Sequence, residues 1–427
     1  MRKTFFTIIT VASFLIFGII LNSCGGSSSQ TDGTFGWRGP DRSGVYPETG
    51  LLKSWPANGL KLIWEATGIG MGFSSSTVTN DLIYITGIRD DKDVLTAFTQ
   101  DGKKRWDVEY GTMSTVNSFP ESRCTPTVHN GKIYVISGDG KLSCVSTSGK
   151  ILWQVDYFTK YECSVPRFGV SESPLVYDNK VIVTPGGPIA AMVAFDIDNG
   201  NVVWETPSLD EGMQYVSPLL IEQNGKKVII TATPTWLIGI DAENGAPIWK
   251  FEIGSVNADG RGNKNYIHTP IYRDGYVFMA NGYGQTSAKI KVNTDGSEPE
   301  LMWSNSDFNP HVGGMLLIGN YLYGSTHDNN NMGRYVCVDW TTGETMWITE
   351  WNNKGSMIAA EGLIYILEEK DGNVALVQPN PEKFEVISSF LMGGKGEGPH
   401  WMHPVIDKGR LFLRHGDYLA AYNIKAN

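Results

Sequence analysis

A glycine followed four residues later by a tryptophan recurs at Gly102/Trp106, Gly149/Trp153, Gly200/Trp204, Gly245/Trp249 and Gly343/Trp347. The copy at Val193–Trp204 shows what the spacing encodes. Val193 and Phe195 alternate with their neighbours as a half-buried strand does. Asn199-Gly200 follows, two residues that tolerate positive φ and so suit a tight hairpin, and Val202-Val203-Trp204 returns as a second strand. One hairpin used this often demands a fold built by repetition.

The tryptophans at 106, 153, 204, 249, 303 and 347 are separated by 47, 51, 45, 54 and 44 residues, the period of a four-stranded propeller blade. Units also begin alike, at Thr125-Pro126, Ser173-Pro174, Ser217-Pro218 and Thr269-Pro270, and a strand start is one of the few places where a sheet accepts proline. Two further units lack the tryptophan. The first runs from Ser356 to Phe390; the second, from His403 to Ile424, holds only three strands. Its missing fourth is expected from the other end of the chain, in Leu60–Glu65, which closes the ring and hides both terminal edges. The expectation is an all-β fold, an eight-bladed β-propeller of four-stranded antiparallel blades, with seven blades as the alternative. An indole buries about 150–250 Å², so the repeated tryptophans are expected at the seams between blades. Trp236 and Trp401 stand outside the repeat frame.

Composition supports turns over long helices: 49 glycines, 13 tryptophans and only 19% charged residues. The net charge is −10, and removing Arg2 and Lys3 with a leader makes it −12. An acidic body without a Lys/Arg cluster argues against a nucleic-acid partner. The leader itself is informative. Arg2-Lys3 precedes the apolar stretch Phe5–Leu21, and Leu21-Asn22-Ser23-Cys24 resembles a bacterial lipobox with Cys24 as the lipidated residue. The expected organisation is a signal peptide over 1–23, a lipidated tether and lead-in segment over 24–58, and a single propeller over 59–427. No Asp follows Cys24, which favours the outer membrane of a Gram-negative cell. Cys124, Cys144, Cys163 and Cys337 form no zinc or haem motif; Cys124 and Cys163 are open to pairing, with four buried thiols favoured.

Beyond the repeat, particular segments resemble the pyrroloquinoline-quinone-like (PQQ-like) repeat propellers. Trp37-Arg38-Gly39-Pro40-Asp41-Arg42-Ser43-Gly44 looks like that family's lead-in segment, and Glu172-Ser173-Pro174, Pro185-Gly186-Gly187, Val338–Gly343 and His403–Ile406 resemble later blocks. The resemblance implies the eight-bladed, quinoprotein alcohol dehydrogenase-like fold. It leaves function open, because the family holds quinone-bearing alcohol dehydrogenases, an outer-membrane assembly-factor lipoprotein without quinone, and uncharacterised secreted members. PQQ and calcium are the cofactors it admits, and no residue pattern here requires them. The family's dehydrogenases commonly place a disulfide of adjacent cysteines over the cofactor, and this sequence has none.

A four-stranded meander puts inter-blade loops and second-to-third-strand loops on one face and the hairpin turns on the other. This sorting sends His268, His311, His327, His400, His403 and His415 to one face, with only His129 on the other. Arg123, Arg167, Glu172, Tyr215, Tyr283, Asp328, Arg414 and Asp417 join them, and Trp236 and Trp401 are candidate aromatic plates. The ligand-face candidates are therefore Arg123, Arg167, Glu172, Tyr215, Trp236, His268, Tyr283, His311, His327, Trp401, His403 and Arg414. Glu172 with Asn329 or Asn330 is the one conceivable calcium pair, though no local calcium loop or metal-ligand spacing is present. No nucleophile elbow, phosphate loop or His-Glu-x-x-His motif appears, so no catalytic residue is assigned. The expected function is a monomeric, lipid-anchored binding or scaffolding module of the cell envelope, meeting a protein partner or a small-molecule or glycan ligand. A PQQ/calcium alcohol dehydrogenase and a carbohydrate-binding surface lipoprotein are the alternatives.

Overall fold

A computed structural model describes residue 1 and residues 34–114, 119–256, 265–392 and 395–426. The lipobox and Cys24 lie outside the described residues. Eight antiparallel sheets of four strands follow one another around an axis, as the repeat predicts. Blade 1 starts at Thr77, blade 2 at Thr127, blade 3 at Leu175 and blade 4 at Leu219; blades 5 to 8 start at Ile271, Leu316, Gly355 and Val405. Blade 8 takes its outermost strand from Lys61–Ala66, which pairs antiparallel with Tyr418–Asn423, Trp64 facing Ala421. The ring is closed by the front of the chain.

Every blade carries a β-bulge between its third and fourth strands, and a bulge re-aims the side chain beside it. The residue so aimed is Trp64, Trp106, Trp153, Trp204, Trp249, Trp303 or Trp347. Each indole except Trp249 and Trp347 lies against the hairpin glycine of the following blade. At Gly200 (φ 73°) a Cβ would come within 2.8 Å of the Trp153 ring, so only glycine allows both the turn and the contact. Indole N–H groups also cross the seam: Trp64 donates to the Gln100 carbonyl (3.1 Å), Trp106 to Thr147 (2.9 Å) and Trp347 to Asn380 (2.9 Å). Blade 7 has Ser388 in the tryptophan position. There Trp55 donates its backbone N–H to the Ser388 hydroxyl (2.9 Å) and packs on Phe390 and Tyr365.

The Ser/Thr-Pro starts have a second role. The backbone N–H of Ser75 donates to the Thr125 hydroxyl (3.0 Å), that of Thr125 to Ser173 (3.1 Å) and that of Ser173 to Ser217 (2.9 Å), forming a belt beside the axis across blades 1 to 4. The lead-in segment fills the space inside this belt. Thr34–Phe35 pairs with the innermost strand of blade 2, and Val45–Tyr46 runs parallel to the innermost strand of blade 7. Between them Arg42 donates to the carbonyls of Ser173, Pro174 and Pro218, and Arg38 to those of Met315 and Met357 and to His403 Nδ1 (2.9 Å). Both guanidiniums are buried and are held by carbonyls rather than by carboxylates. Thr34 faces His129 in a hairpin, so the chain comes into the ring on the hairpin face.

Several expectations need correction. Arg414 is fully buried and donates to Gly70, Ser74, Thr86 and Gly416, which makes it a brace between blades 8 and 1. Trp236 belongs to blade 4 with Lys250 above its ring (4.3 Å). Glu172 is completely buried and accepts from the N–H and hydroxyl of Thr184 (3.0 and 3.1 Å), behind the strand that receives Arg42. Cys124, Cys144, Cys163 and Cys337 are free thiols, as the sequence favours, with Cys163 only half-buried.

Trp64→Ala is expected to destabilise the protein by about 3–5 kcal/mol in chemical denaturation, because the seam cannot collapse to fill the space. An unchanged midpoint would refute the role given to that seam. A second expectation concerns pH. Burial pushes the Glu172 carboxyl up to about 8, against the pull of Thr184 and Arg42. Burial also draws His268, His327 and His400 down to about 4. An acid with a raised folded pKa weakens the fold as pH rises toward that value; the depressed histidines strengthen it only up to their unfolded pKa near 6.5. Between pH 6.5 and 8 the Glu172 effect therefore stands apart from that of these histidines. Buried Asp93, raised to about 7, adds a falling contribution only below that pH. Calorimetric melting should show stability falling between pH 6.5 and 8 by on the order of 1–2 kcal/mol, and Glu172→Gln should flatten the part above pH 7.

Candidate functional site

The inter-blade loops converge on a cavity of about 610 Å³ on the face opposite the hairpins. Each wall comes from a different loop: Phe73 ahead of blade 1, Arg123 ahead of blade 2, Arg167 and Phe168 ahead of blade 3 and Tyr215 ahead of blade 4. His268 precedes blade 5, Tyr283 lies within it, His311 precedes blade 6, and Trp401 and His403 precede blade 8. Trp37, from the lead-in segment, also lines it; its indole donates to Thr269 Oγ1 (2.9 Å) and its ring meets the His403 ring at 4.6 Å. The plug of the channel is thus part of the cavity wall.

Trp401 organises one side. Phe73 (4.8 Å), Phe119 (5.1 Å) and His311 (5.8 Å) surround its ring, and the Arg123 guanidinium lies 5.4 Å above Phe73. Across the cavity Arg167 lies over Phe168 at 5.2 Å, and the Phe168 N–H donates to the Tyr215 hydroxyl (3.2 Å). Tyr283 holds φ at 62°, a left-handed conformation that a bulky residue adopts only when its surroundings impose it. Its hydroxyl lies 3.1 Å from His311 Nε2, and the His327 ring packs on both. Behind His311, Nδ1 stands 3.7 Å from Glu369, which is paired with the buried Lys354 at 3.1 Å.

The charge of the cavity follows from these surroundings. Burial lowers His268 and His327 to about 4, and His403 falls well below its usual range through burial and then the neighbouring Arg38. His403 accordingly accepts from Arg38 at Nδ1 and donates from Nε2 to the Val312 carbonyl (2.8 Å), the bonding of a neutral imidazole. Desolvation lowers Arg123 only to about 10, so it stays cationic at neutral pH. Positive charge comes from the two arginines, and no Asp or Glu lines the cavity among the described residues.

Of the sequence-derived candidates, Arg123, Arg167, Tyr215, His268, Tyr283, His311, Trp401 and His403 line this cavity. His327 sits behind Tyr283 and His311, while Glu172, Trp236 and Arg414 lie elsewhere. Phe73, Phe119, Phe168 and Trp37 were missed; the only signal was that Phe119 and Phe168 occupy the same loops as the two arginines. The residues present do not fit the calcium-bound quinone that the family resemblance admits. Calcium takes about 6–8 oxygen ligands including carboxylates. Asn330 lines the cavity, but its intended partner Glu172 does not, and both Glu172 oxygens already accept from Thr184. No group of three His, Cys, Asp or Glu side chains able to hold a metal occurs among the described residues.

Comparison with known proteins supports the fold. An outer membrane protein assembly factor BamB of Moranella endobia (strain PCIT) is 21% identical over 338 residues, covering 72% of this chain and 81% of that protein. The crystal structure of BamB from Moraxella catarrhalis superposes with a TM-score of 0.61 at 16% identity, over 86% of this chain and 98% of the other. Quinohemoprotein alcohol dehydrogenase from Comamonas testosteroni gives 0.63 at 12% identity, over 91% and 79%. At such identities the superpositions establish the fold alone. Residues 90–349 match the family described as outer membrane protein assembly factor BamB, so this chain belongs to that family of PQQ-like repeat propellers.

Proposed function

We propose that the protein is a binding and scaffolding module of the Gram-negative cell envelope, carried on the outer membrane by a lipid on Cys24 and acting through its cavity face. The observation that carries this reading is the placement of the cavity opposite the point where the chain comes into the ring at Thr34. The ten Cα-to-Cα steps from Cys24 to Thr34 reach at most about 35 Å. A lipid there holds the hairpin face toward the bilayer and leaves the cavity facing away from it. Membership of the BamB family supports an envelope role in which the propeller contacts other proteins of outer membrane assembly. The cavity offers donors and aromatic surfaces but no lining carboxylate to act as base or to hold calcium among the described residues, which favours binding over alcohol oxidation.

Two measurements check this. Wild-type protein is expected in the membrane fraction and Cys24→Ala in the soluble fraction after cell lysis; equal partitioning removes the anchor. A photo-crosslinking amino acid at Phe119, on the cavity rim, is expected to give discrete adducts in intact cells, whereas the same group at Asn199, on a hairpin turn, gives none. Adducts from the hairpin face alone would reverse the proposed orientation.

A further inference from the structure

The cavity is cationic within a chain of net charge −10, and that contrast bears on what it takes. Arg123 makes one long bond, to the Glu121 carbonyl at 3.4 Å, and otherwise rests on Phe73; Arg167 rests on Phe168. Neither arginine is ion-paired to a carboxylate among the described residues, unlike Arg334 and Arg410, which bond to Asp328 and Asp407. The Trp401 indole nitrogen is buried without a partner, and the Phe119 ring stands 37% exposed at the rim. Two guanidiniums with no ion-paired carboxylate among the described residues, flanking aromatic faces, form a site for a ligand that brings its own anionic oxygens and a flat or C–H-bearing surface.

The way the axis is filled narrows the class. An extended peptide gains affinity by adding a strand to a free sheet edge. Here the lead-in segment already pairs with the innermost strands of blades 2 and 7, and Arg38 and Arg42 occupy the carbonyls at the starts of blades 3, 4, 6 and 7. Recognition therefore falls to side chains, among which the two arginines are donor-only cations while the tyrosine, serine and asparagine side chains can donate or accept. A volume of about 610 Å³ suits a compact molecule rather than a folded domain. Building on the cavity-face reading above, we infer that this cavity binds a short uronic-acid oligosaccharide, its carboxylates on Arg123 and Arg167 and a sugar face on Trp401. Tyr283, held in its strained conformation beside His311, is a positioning residue for the sugar hydroxyls.

The test uses the full chain purified in detergent, with binding followed by tryptophan fluorescence and calorimetry. Probes are oligogalacturonate, oligoalginate and hyaluronan fragments, each paired with its methyl ester. A sulfated galactan fragment, inorganic sulfate and triglutamate complete the set. At least one uronate is expected to bind, with its neutral ester weaker by about tenfold or more and with affinity falling as salt rises. The Arg123→Gln/Arg167→Gln double variant should bind acid and ester alike while melting as wild type does, because neither side chain braces the ring. Trp401→Phe should weaken both forms. Equal binding of acid and ester by the wild type, silence across all uronates, or a preference for the sulfated fragment, sulfate or triglutamate would overturn the inference. Each of these leaves the fractionation and crosslinking results untouched, so the two readings fail separately.

Discussion

An indole laid on a glycine across a blade seam is the contact on which this molecule depends. A propeller has no central core; each sheet is stable only through the faces it shares with its neighbours. Trp64, Trp106, Trp153, Trp204 and Trp303 each cover the hairpin glycine of the next blade, and the bulge before the tryptophan directs the ring there. Burying the Trp64 or Trp204 indole contributes roughly 4–6 kcal/mol of gross apolar transfer, and the half-buried Trp106, Trp153 and Trp303 contribute less. A Cβ at the glycine would forfeit the contact. Turn, bulge and ring are one unit, which explains why they recur together at a constant internal spacing.

The front of the chain completes what the repeat leaves unfinished. Residues 34–66 plug the axis, put Trp55 where blade 7 lacks its tryptophan, and contribute both the last strand of blade 8 and its seam residue Trp64. Arg38 and Arg42 bind the inner-strand carbonyls of blades on opposite sides of the ring, so folding of the ring and seating of the plug are coupled. Trp37 carries that coupling to the surface, since the residue beside the buried arginine is part of the cavity wall.

The cavity inherits its character from this construction. Inter-blade loops arrive from around the ring, so residues far apart in sequence meet. Arg123 and Trp401 are brought together through Phe73, and Tyr283 reaches His311 and the Glu369–Lys354 pair behind it. Burial keeps most of these histidines neutral, which leaves the arginines to set the electrostatics. This propeller thereby presents a cationic, aromatic mouth over a closed axis.

The sequence by itself determined the number of blades, the closing strand at Leu60–Glu65 and the face to which most histidines go, because hairpin period and strand alternation are local properties written into every repeat. It also named eight of the cavity residues from loop position alone. It misassigned Glu172, Trp236 and Arg414: the last two lie in strands rather than loops, and where a side chain turns depends on what it packs against in the finished ring. Glu172 met Thr184, and Arg414 met the carbonyls of blade 1. Only the tertiary structure decided that Trp37 and the two lead-in arginines fill the channel, because a segment outside the repeat has no register until the finished ring offers its inner edges.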